Sequence, residues 1–548
     1  MLLFCCLPLW FLKIFHSYCR VTQVFPYLRK NLEKETVLLM EVKDKHNIEE
    51  HDGYGRVLKY LGIFGGAQGL SILLNMVRTK IASTLLGVAG QTVIALSNRT
   101  IQMFSDATGL SLSFSAIRAL SDAYENADEA VVERCVKVVR SVALFTGLVG
   151  MVLMLIVTPY ISDWIFEDNS AYYSGRFLAL SPVVFFMAVS NGEIAILRGI
   201  RQLNKVAVYS VATSVISLLV AVPLYFFVGV GGVFPAIFAT AFLQMSVLLY
   251  FSLPLYAYRV APFSFALLRE GIDIVKMGAG FIFSSIFSSF ALWLICALLS
   301  DIGDGKSAGL FNTAIVMITM LPGVLFAALD SEYYPRLSGA VENVALRNRM
   351  INEQVEVQLL VQSPLLVAFM VAMPLLVPLF YDGEFMPAVS MAQIALMGMF
   401  MRTMTYPISF LTLAKSDTLL FVFLESMYNL LLVALVVAGY VTKGFVGVGA
   451  GIALAHTLDF LLVYGMLKFR YGLRLSGNAA KYFFMQLPLF IAMATVVVGG
   501  FSDRLYWTMG AICTLFSLLL SIYFLKKQTV LPDTFRRLYK KISRKFKK

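Results

Sequence analysis

Charge is scarce in this sequence. Only 14% of its 548 residues are Asp, Glu, Lys or Arg, against roughly 25% in an ordinary soluble domain, so a water-facing surface of normal size cannot be built from it. Cysteine and histidine are few and scattered: six cysteines stand at 5, 6, 19, 135, 296 and 513 without ligand or redox spacing, beside four histidines. The cysteines read as small apolar residues, and no metal and no cofactor are expected. Long polar loops are missing too. That leaves no place for an extramembrane domain and excludes the sizeable external loop on which a membrane enzyme acting on lipid-linked sugars would carry its chemistry. The net charge of +12 comes without any nucleic-acid-binding signature, and no nucleic acid is expected as a partner. One stretch imitates a phosphate-binding loop, SDIGDGKS at 300–307, but Ser300 stands where its first glycine belongs and no strand precedes it.

What the chain does have is apolar length. Hydrophobic residues make up 59% of it, and fourteen stretches of about 20 residues, from 61–80 to 506–525, are long and apolar enough to cross about 30 Å of hydrocarbon as helices. An all-α, polytopic membrane protein follows. The short loops divide by charge: eighteen Lys and Arg fall on one side, and only Arg78, Lys80, Arg176, Lys306, Lys443 and Arg504 on the other, where Asp163, Glu167, Asp168, Asp301, Asp304, Asp382 and Glu384 lie. Short cytoplasmic loops retain basic residues, so the basic side is expected inside, with both termini cytoplasmic. The first 39 residues lack the early basic segment and small-residue cleavage site of a signal peptide, and Met40 opens a polar run leading into the first span. Met40 is the expected start.

The first and seventh spans begin alike, KYLGIFGGAQG from Lys59 and KMGAGFIFSSI from Lys276, and GVAGQTVIALSNRTIQM (87–103) parallels GDGKSAGLFNTAIVMIT (303–319), with Asn98 and Asn312 as counterparts. This divides the chain into a cytoplasmic segment 1–58, six-helix bundles at 59–255 and 256–467, two extra spans at 468–525, and a basic tail at 526–548. Because six is even, both bundles face the same way, with a pseudo-two-fold axis along the membrane normal. A cleft between such bundles is where a transporter's substrate sits.

Polar residues mark that cleft. At 100° per residue, Gln68, Ser71, Asn75 and Arg78 fall on one stripe of the first span, apart from the glycine face of Gly62, Gly65, Gly66 and Gly69. The stripe must look at something polar along its length. Arg78 ends it and is expected to line the cavity; Lys80, on the glycine side, reads as an anchor that snorkels to the interface. In the second span Asn98, Arg99, Gln102, Ser105 and Asp106 share a face that cannot meet lipid, since a charge at mid-bilayer costs at least ~2.5–3.5 kcal/mol. A self-neutralising Arg99–Asp106 pair is disfavoured by roughly 10 Å of separation along the axis. A third group, Arg402, Glu425, His456 and Asp459, lies on three successive spans roughly 10–16 Å from their inner ends. It reads either as a buried salt-bridge lock or as the site that couples transport to protons or cations, with His456 the histidine inside the membrane. In the tail, Phe535, Leu538, Ile542 and Phe546 recur at helical spacing among ten basic residues, predicting an amphipathic helix on anionic lipid.

With those residues in view, the sequence resembles the polysaccharide-transport branch of the multidrug/oligosaccharidyl-lipid/polysaccharide exporter superfamily, the flippases of O-antigen and capsule precursors. The resemblance is carried by FGGAQGLSILLNMVRTKIASTLLGVAGQTVIALSNRT (64–100) and GLSLSFSAIRALSDA (109–123) and extends as a helix pattern over 55–525. It implies two bundles in a V, alternating access, and a central cationic cavity for an undecaprenyl-pyrophosphate-linked glycan, with Arg78 and Arg99 matching the family's cavity cations. It also implies the bacterial inner membrane and, as partners, polysaccharide polymerase or ligase machinery. Gln91 and Thr92 depart from the smaller, more apolar residues of related sequences. A drug/cation antiporter of the same superfamily would want an acidic cavity, and a glycan ligase or polymerase would want the missing external loop; both stay as rivals.

Overall fold

The computed structural model describes residues 53–527 apart from 110–111, 126–128, 166–169, 262, 277–278 and 304. The expected start at Met40 and the amphipathic tail lie outside the described residues. The chain divides into two compact units, Met1–Gly62 and Ile63–Lys548. Of the first, residues 53–62 are helical; the second holds everything that follows.

The described residues are overwhelmingly α-helical and form no strand, as a chain that must satisfy every amide inside lipid requires. Ten helices are long and apolar enough to cross a membrane, and a shorter apolar one covers Ser307–Met320. Three of the ten hold two crossings each. Helix α1 (Gly53–Gly109) breaks at Gly87, whose φ of 63° and ψ of −167° no helix can contain. Its apolar part, Gly69–Gly109, would be roughly 60 Å long if straight, twice the hydrocarbon thickness. Short helix α2 (Leu112–Glu125) leads to α3 (Glu129–Ile165), α4 (Ser170–Ala179) and α5 (Ser181–Gly199). Helices α6 (Leu203–Val228) and α7 (Val233–Ser252) are separated by one tight turn, Gly229–Gly232, with φ 63° at Gly229. After α8 (Phe265–Lys276) come α9 (Ala279–Ile302), α10 (Ser307–Gly339), α11 (Val344–Phe380), α12 (Pro387–Ala414) and α13 (Thr418–Tyr471). The last of these breaks at Lys443 and Gly444 and doubles back: a Cβ on Gly439 would lie 2.1 Å from Gly447 O, and one on Gly451 2.4 Å from Leu435 O. Only glycine lets the two limbs approach so closely. Helices α14 (Gly477–Val498) and α15 (Asp503–Lys527) complete the set, packing on α11 and α12 through stacked Phe400, Phe483 and Phe490 and through Gln393, which donates to Tyr506 Oη at 2.6 Å. Counting the doubled helices and the shorter one, the described residues offer helices for the fourteen stretches read from the sequence.

Two stretches treated as loops in the sequence contain helices. Helices α2 and α8 are amphipathic and too short to span, so a search for 20-residue apolar runs passes over them. The segment 256–276, which the sequence places with the second bundle, is fastened to α3 of the first. Arg140 donates to Tyr256 O and Ala257 O, both at 3.0 Å; Ser141 Oγ accepts from Ala261 N at 3.0 Å; Arg259 pairs with Glu133 at 2.7 Å and Arg134 with Glu270 at 3.1 Å. The largest buried apolar cluster is shared by both bundles, running from Val93, Leu96 and Ile101 of α1 through Trp293, Ile295 and Cys296 of α9 to Phe311 of α10.

Candidate functional site

The polar stripe of α1 meets a second stripe on α6. Ser71 Oγ lies 3.0 Å from Ser210 Oγ, Asn75 Nδ2 donates to Ser214 Oγ at 3.2 Å, and Arg78 Nη1 donates to Ser217 Oγ. The partners are separated by 139 residues each time, so two parallel helices zip in one register, at i, i+4 and i+7. The sequence reasoning found one side of this zipper and missed the other, although Ser210, Ser214 and Ser217 repeat the spacing of Ser71, Asn75 and Arg78. The position matching Gln68 in this register is Ala207; the side chain of Gln68 lies outside the described residues.

The polar face of α1 beyond Gly87 looks across at the other bundle. Arg99 Nη2 donates to Asn312 Oδ1 on α10 at 3.1 Å. Gln102 Nε2 donates to both carboxylate oxygens of Asp106 at 2.9 Å, and Ser289 of α9 donates to the same carboxylate. Thr100 Oγ1 accepts from Trp293 Nε1 at 3.1 Å. Ser105 is buried and Asn98 exposed. Arg99 and Asp106 therefore each face a partner across the bundle interface, and the sequence counterpart Asn312 is bonded to the neighbour of Asn98.

In the C-terminal bundle, Arg402, Glu425 and Asp459 line one cavity of about 390 Å³ together with Ser284, Tyr406 and Tyr428. Four helices enclose it: α9, α12 and both limbs of α13. His456 sits behind the wall, 3% exposed, its ring stacked on Tyr428 at 5.1 Å between centroids with Nε2 3.4 Å from the tyrosine hydroxyl. Gly398 makes room for it, since a Cβ there would lie 2.8 Å from His456 Cδ2. Two carboxylates against one guanidinium give this cavity an excess of negative charge when all three are ionised.

One ionic system went unnoticed in the sequence. Arg140 and Glu193, 2% and 1% exposed, form a two-pronged pair at 2.8 and 3.1 Å. With its two backbone carbonyls and the ring of Tyr258 at 5.0 Å, the guanidinium is fully engaged, as a buried charge must be. Glu193 carried no signal in the sequence because it stands alone in an apolar helix. Outside the spans, Asp417 caps the start of α13 by accepting from Leu420 N at 3.2 Å, and it pairs with Arg470 at 2.7 Å while Tyr471 donates to it. Burial pushes its carboxyl up, but the Tyr471 hydroxyl, the Leu420 amide and Arg470 outweigh this and hold it below the usual range.

Residues 124–390 match the family described as "Polysaccharide biosynthesis protein". The resemblance to the polysaccharide-transport branch holds. Solved structures support it at the level of the fold. An inward-facing multidrug resistance MATE family transporter of the MOP superfamily superposes with a TM-score of 0.60 at 18% identity, over 73% of this chain and 94% of that one. Lipid II flippase MurJ, in an inward closed conformation, gives 0.63 at 14% identity, over 84% and 99%. A MOP superfamily transporter from Pyrococcus furiosus, whose structure is described as having a binding pocket of reversed polarity, gives 0.56 at 16% identity, over 75% and 93%. No match is found among curated proteins compared by sequence. A multi-pass, all-α chain with the fold of MOP transporters, whose residues 124–390 are similar to a polysaccharide biosynthesis family, is what these comparisons establish.

Proposed function

We propose that the protein is a flippase that moves a polyprenyl-pyrophosphate-linked oligosaccharide, an O-antigen, capsule or exopolysaccharide repeat unit, from the inner to the outer leaflet of the bacterial cytoplasmic membrane by alternating access. The observation that carries this reading is the coincidence, in one chain, of the MOP fold with a match to polysaccharide biosynthesis proteins over 124–390. The charge distribution agrees with it. Arg78 and Arg99 supply guanidinium groups to the N-terminal bundle and its interface, and guanidinium binds phosphate oxygens two at a time where an ammonium cannot. With the basic side inward, outward movement of each negative charge gains about 2.3 kcal/mol per 100 mV. The basic tail would rest on anionic lipid of the inner leaflet, and polymerase or ligase machinery would take up the product on the other side.

A drug/cation antiporter of the same superfamily is the second reading, and the acid-rich cavity of Glu425 and Asp459 favours it. That cavity is walled by the C-terminal bundle alone, which suits a coupling cation better than a bulky substrate. Deleting the gene in its native host and analysing surface glycan separates the readings. Loss of polymer with lipid-linked repeat units accumulating on the inner leaflet is expected; normal glycan with new drug sensitivity would transfer the assignment to the antiporter.

A further inference from the structure

Where the first limb of α1 ends, the two bundles are joined by contacts of an unusual kind. Lys80 Nζ donates to Pro378 O at 2.8 Å and to Tyr381 O. Helix α11 ends at Phe380, so these carbonyls belong to a helix terminus that has run out of its own donors and carries partial negative charge. From the opposite direction, Glu384 Oε2 accepts from Val88 N at 3.4 Å, the first amide of α1 after its break, where a helix start favours an anion. Each bundle thus offers a charge to a helix end of the other.

Beside them the backbones touch. Thr92 Oγ1 accepts from Gly309 N at 3.1 Å and lies 3.3 Å from Lys306 O. A Cβ on Gly309 would stand 2.9 Å from both Thr92 N and Val88 O, and one on Gly87 3.2 Å from Glu384 Oε2. All groups from the N-terminal bundle fall within residues 80–92. All groups from the C-terminal bundle fall within 306–309 and 378–384. The first is a plug and the second its socket.

We propose that this plug and socket is the gate that shuts the acidic side of the inter-bundle cleft, with Lys80 as the residue that holds it shut. The inference rests on the alternating-access reading above. What makes the contact a gate is that it can open at low cost. Glu384 is exposed and Lys80 half-buried, so water can replace the bonds these two make as they break, and glycine surfaces separate without leaving side-chain holes. The Arg140–Glu193 pair has neither property. It holds the linker to α3, and a bundle that moved against it would strand two buried charges.

The test needs no substrate, so its outcome is independent of which molecule, if any, is carried. Spin labels on bio-orthogonal side chains at positions 84 and 386, both exposed, report the distance across the gate in purified protein in lipid nanodiscs. The parent should show a dominant short distance. Lys80→Gln should raise the ratio of long to short distances about tenfold, the scale of a partly buried cation at a helix end, Glu384→Gln should do so less, and Lys80→Arg should keep the parent pattern. If Lys80→Gln does not reach the membrane, Gly309→Ala should shift the same ratio, because its Cβ meets backbone on two sides. An unchanged distribution in the variant that inserts overturns the gate. A shifted distribution in a protein that flips nothing keeps the gate and overturns the transport reading instead.

Discussion

In the N-terminal bundle three polar residues of α1 meet three serines of α6 in one register, whereas in the C-terminal bundle Arg402, Glu425 and Asp459 surround a cavity of about 390 Å³. Both solve the same problem, polar groups inside a membrane, and the difference lies in what each group needs. A hydroxyl or amide is satisfied by one or two partners, and small residues let the partner helix come close enough to supply them. Two carboxylates and one guanidinium cannot be balanced by packing alone. They retain a space roughly a dozen waters in volume, at about 30 Å³ each, which a cation could share. The first arrangement is a seam and the second a cavity.

The largest expected effect breaks the second arrangement. Replacing Arg402 with Met leaves Glu425 and Asp459 facing each other without a counter-charge, and removal of one partner from a buried ionic group costs about 3–5 kcal/mol. Membrane abundance and thermal stability in detergent should both fall. Asp459→Asn acts in the opposite sense, since it leaves Arg402 and Glu425 balanced. That variant should insert at parental abundance and lose the pH dependence of transport. Equal loss of abundance in both would make the group a lock between helices and remove the coupling role.

A smaller effect sharpens the first arrangement. Arg78 ends the seam on Ser217, so its value as a seam residue can be separated from its value as a phosphate ligand. An interhelical hydrogen bond in a membrane averages about 0.6 kcal/mol. Ser217→Ala should therefore change transport by no more than about threefold. Arg78→Lys should lose much of the transport that Arg78→Ala loses, with unchanged amounts of protein in the membrane, because lysine keeps the charge and lacks the two-pronged geometry. If Arg78→Lys transports fully and Ser217→Ala matches Arg78→Ala, Arg78 belongs to the seam only.

The fold was legible because its signal is one-dimensional: a 20-residue apolar run reports its own crossing whatever it packs against. The stripe of Ser71, Asn75 and Arg78 was legible for the same reason, since helical phase is local. What it faces was not, because pairing α1 with α6 is a relation between residues 139 apart that no single helix reveals. Asn312 is an intermediate case. Its correspondence to Asn98 through the internal repeat pointed to the right helix pair, and the bond went to Arg99, one residue on. Glu193 and the ends of α11 were silent. A lone acid in an apolar run has no periodicity, and the use of Pro378 O and Tyr381 O by Lys80 depends on where a helix stops.

The smallest expected effect contrasts the enclosed carboxylates with one that lies outside the spans. Asp417 lies outside the spans, 13% exposed, and its partner Arg470 is more than half exposed, so the pair is screened and contributes little. Its carboxyl is held below the usual range by Tyr471, Leu420 N and Arg470 against the upward push of burial. A carboxylate depressed in the folded state contributes stability that is fully present above the ordinary value near 4 and is lost as pH falls through the folded one. Asn keeps one carbonyl oxygen to accept from Leu420 N, and its amide can donate to the Tyr471 hydroxyl in place of accepting from it, so Asp417→Asn removes the charge and keeps the cap. The unfolding temperature of the variant in detergent should therefore lie slightly below the parent's at pH 7, and the gap should close as pH is lowered below about 4, where the parent's carboxyl takes up its proton. A gap that stays constant with pH would show that Asp417 acts through shape alone. The charge of Asp417 would then contribute nothing, and of the carboxylates compared only those around the cavity would matter by virtue of being ionised.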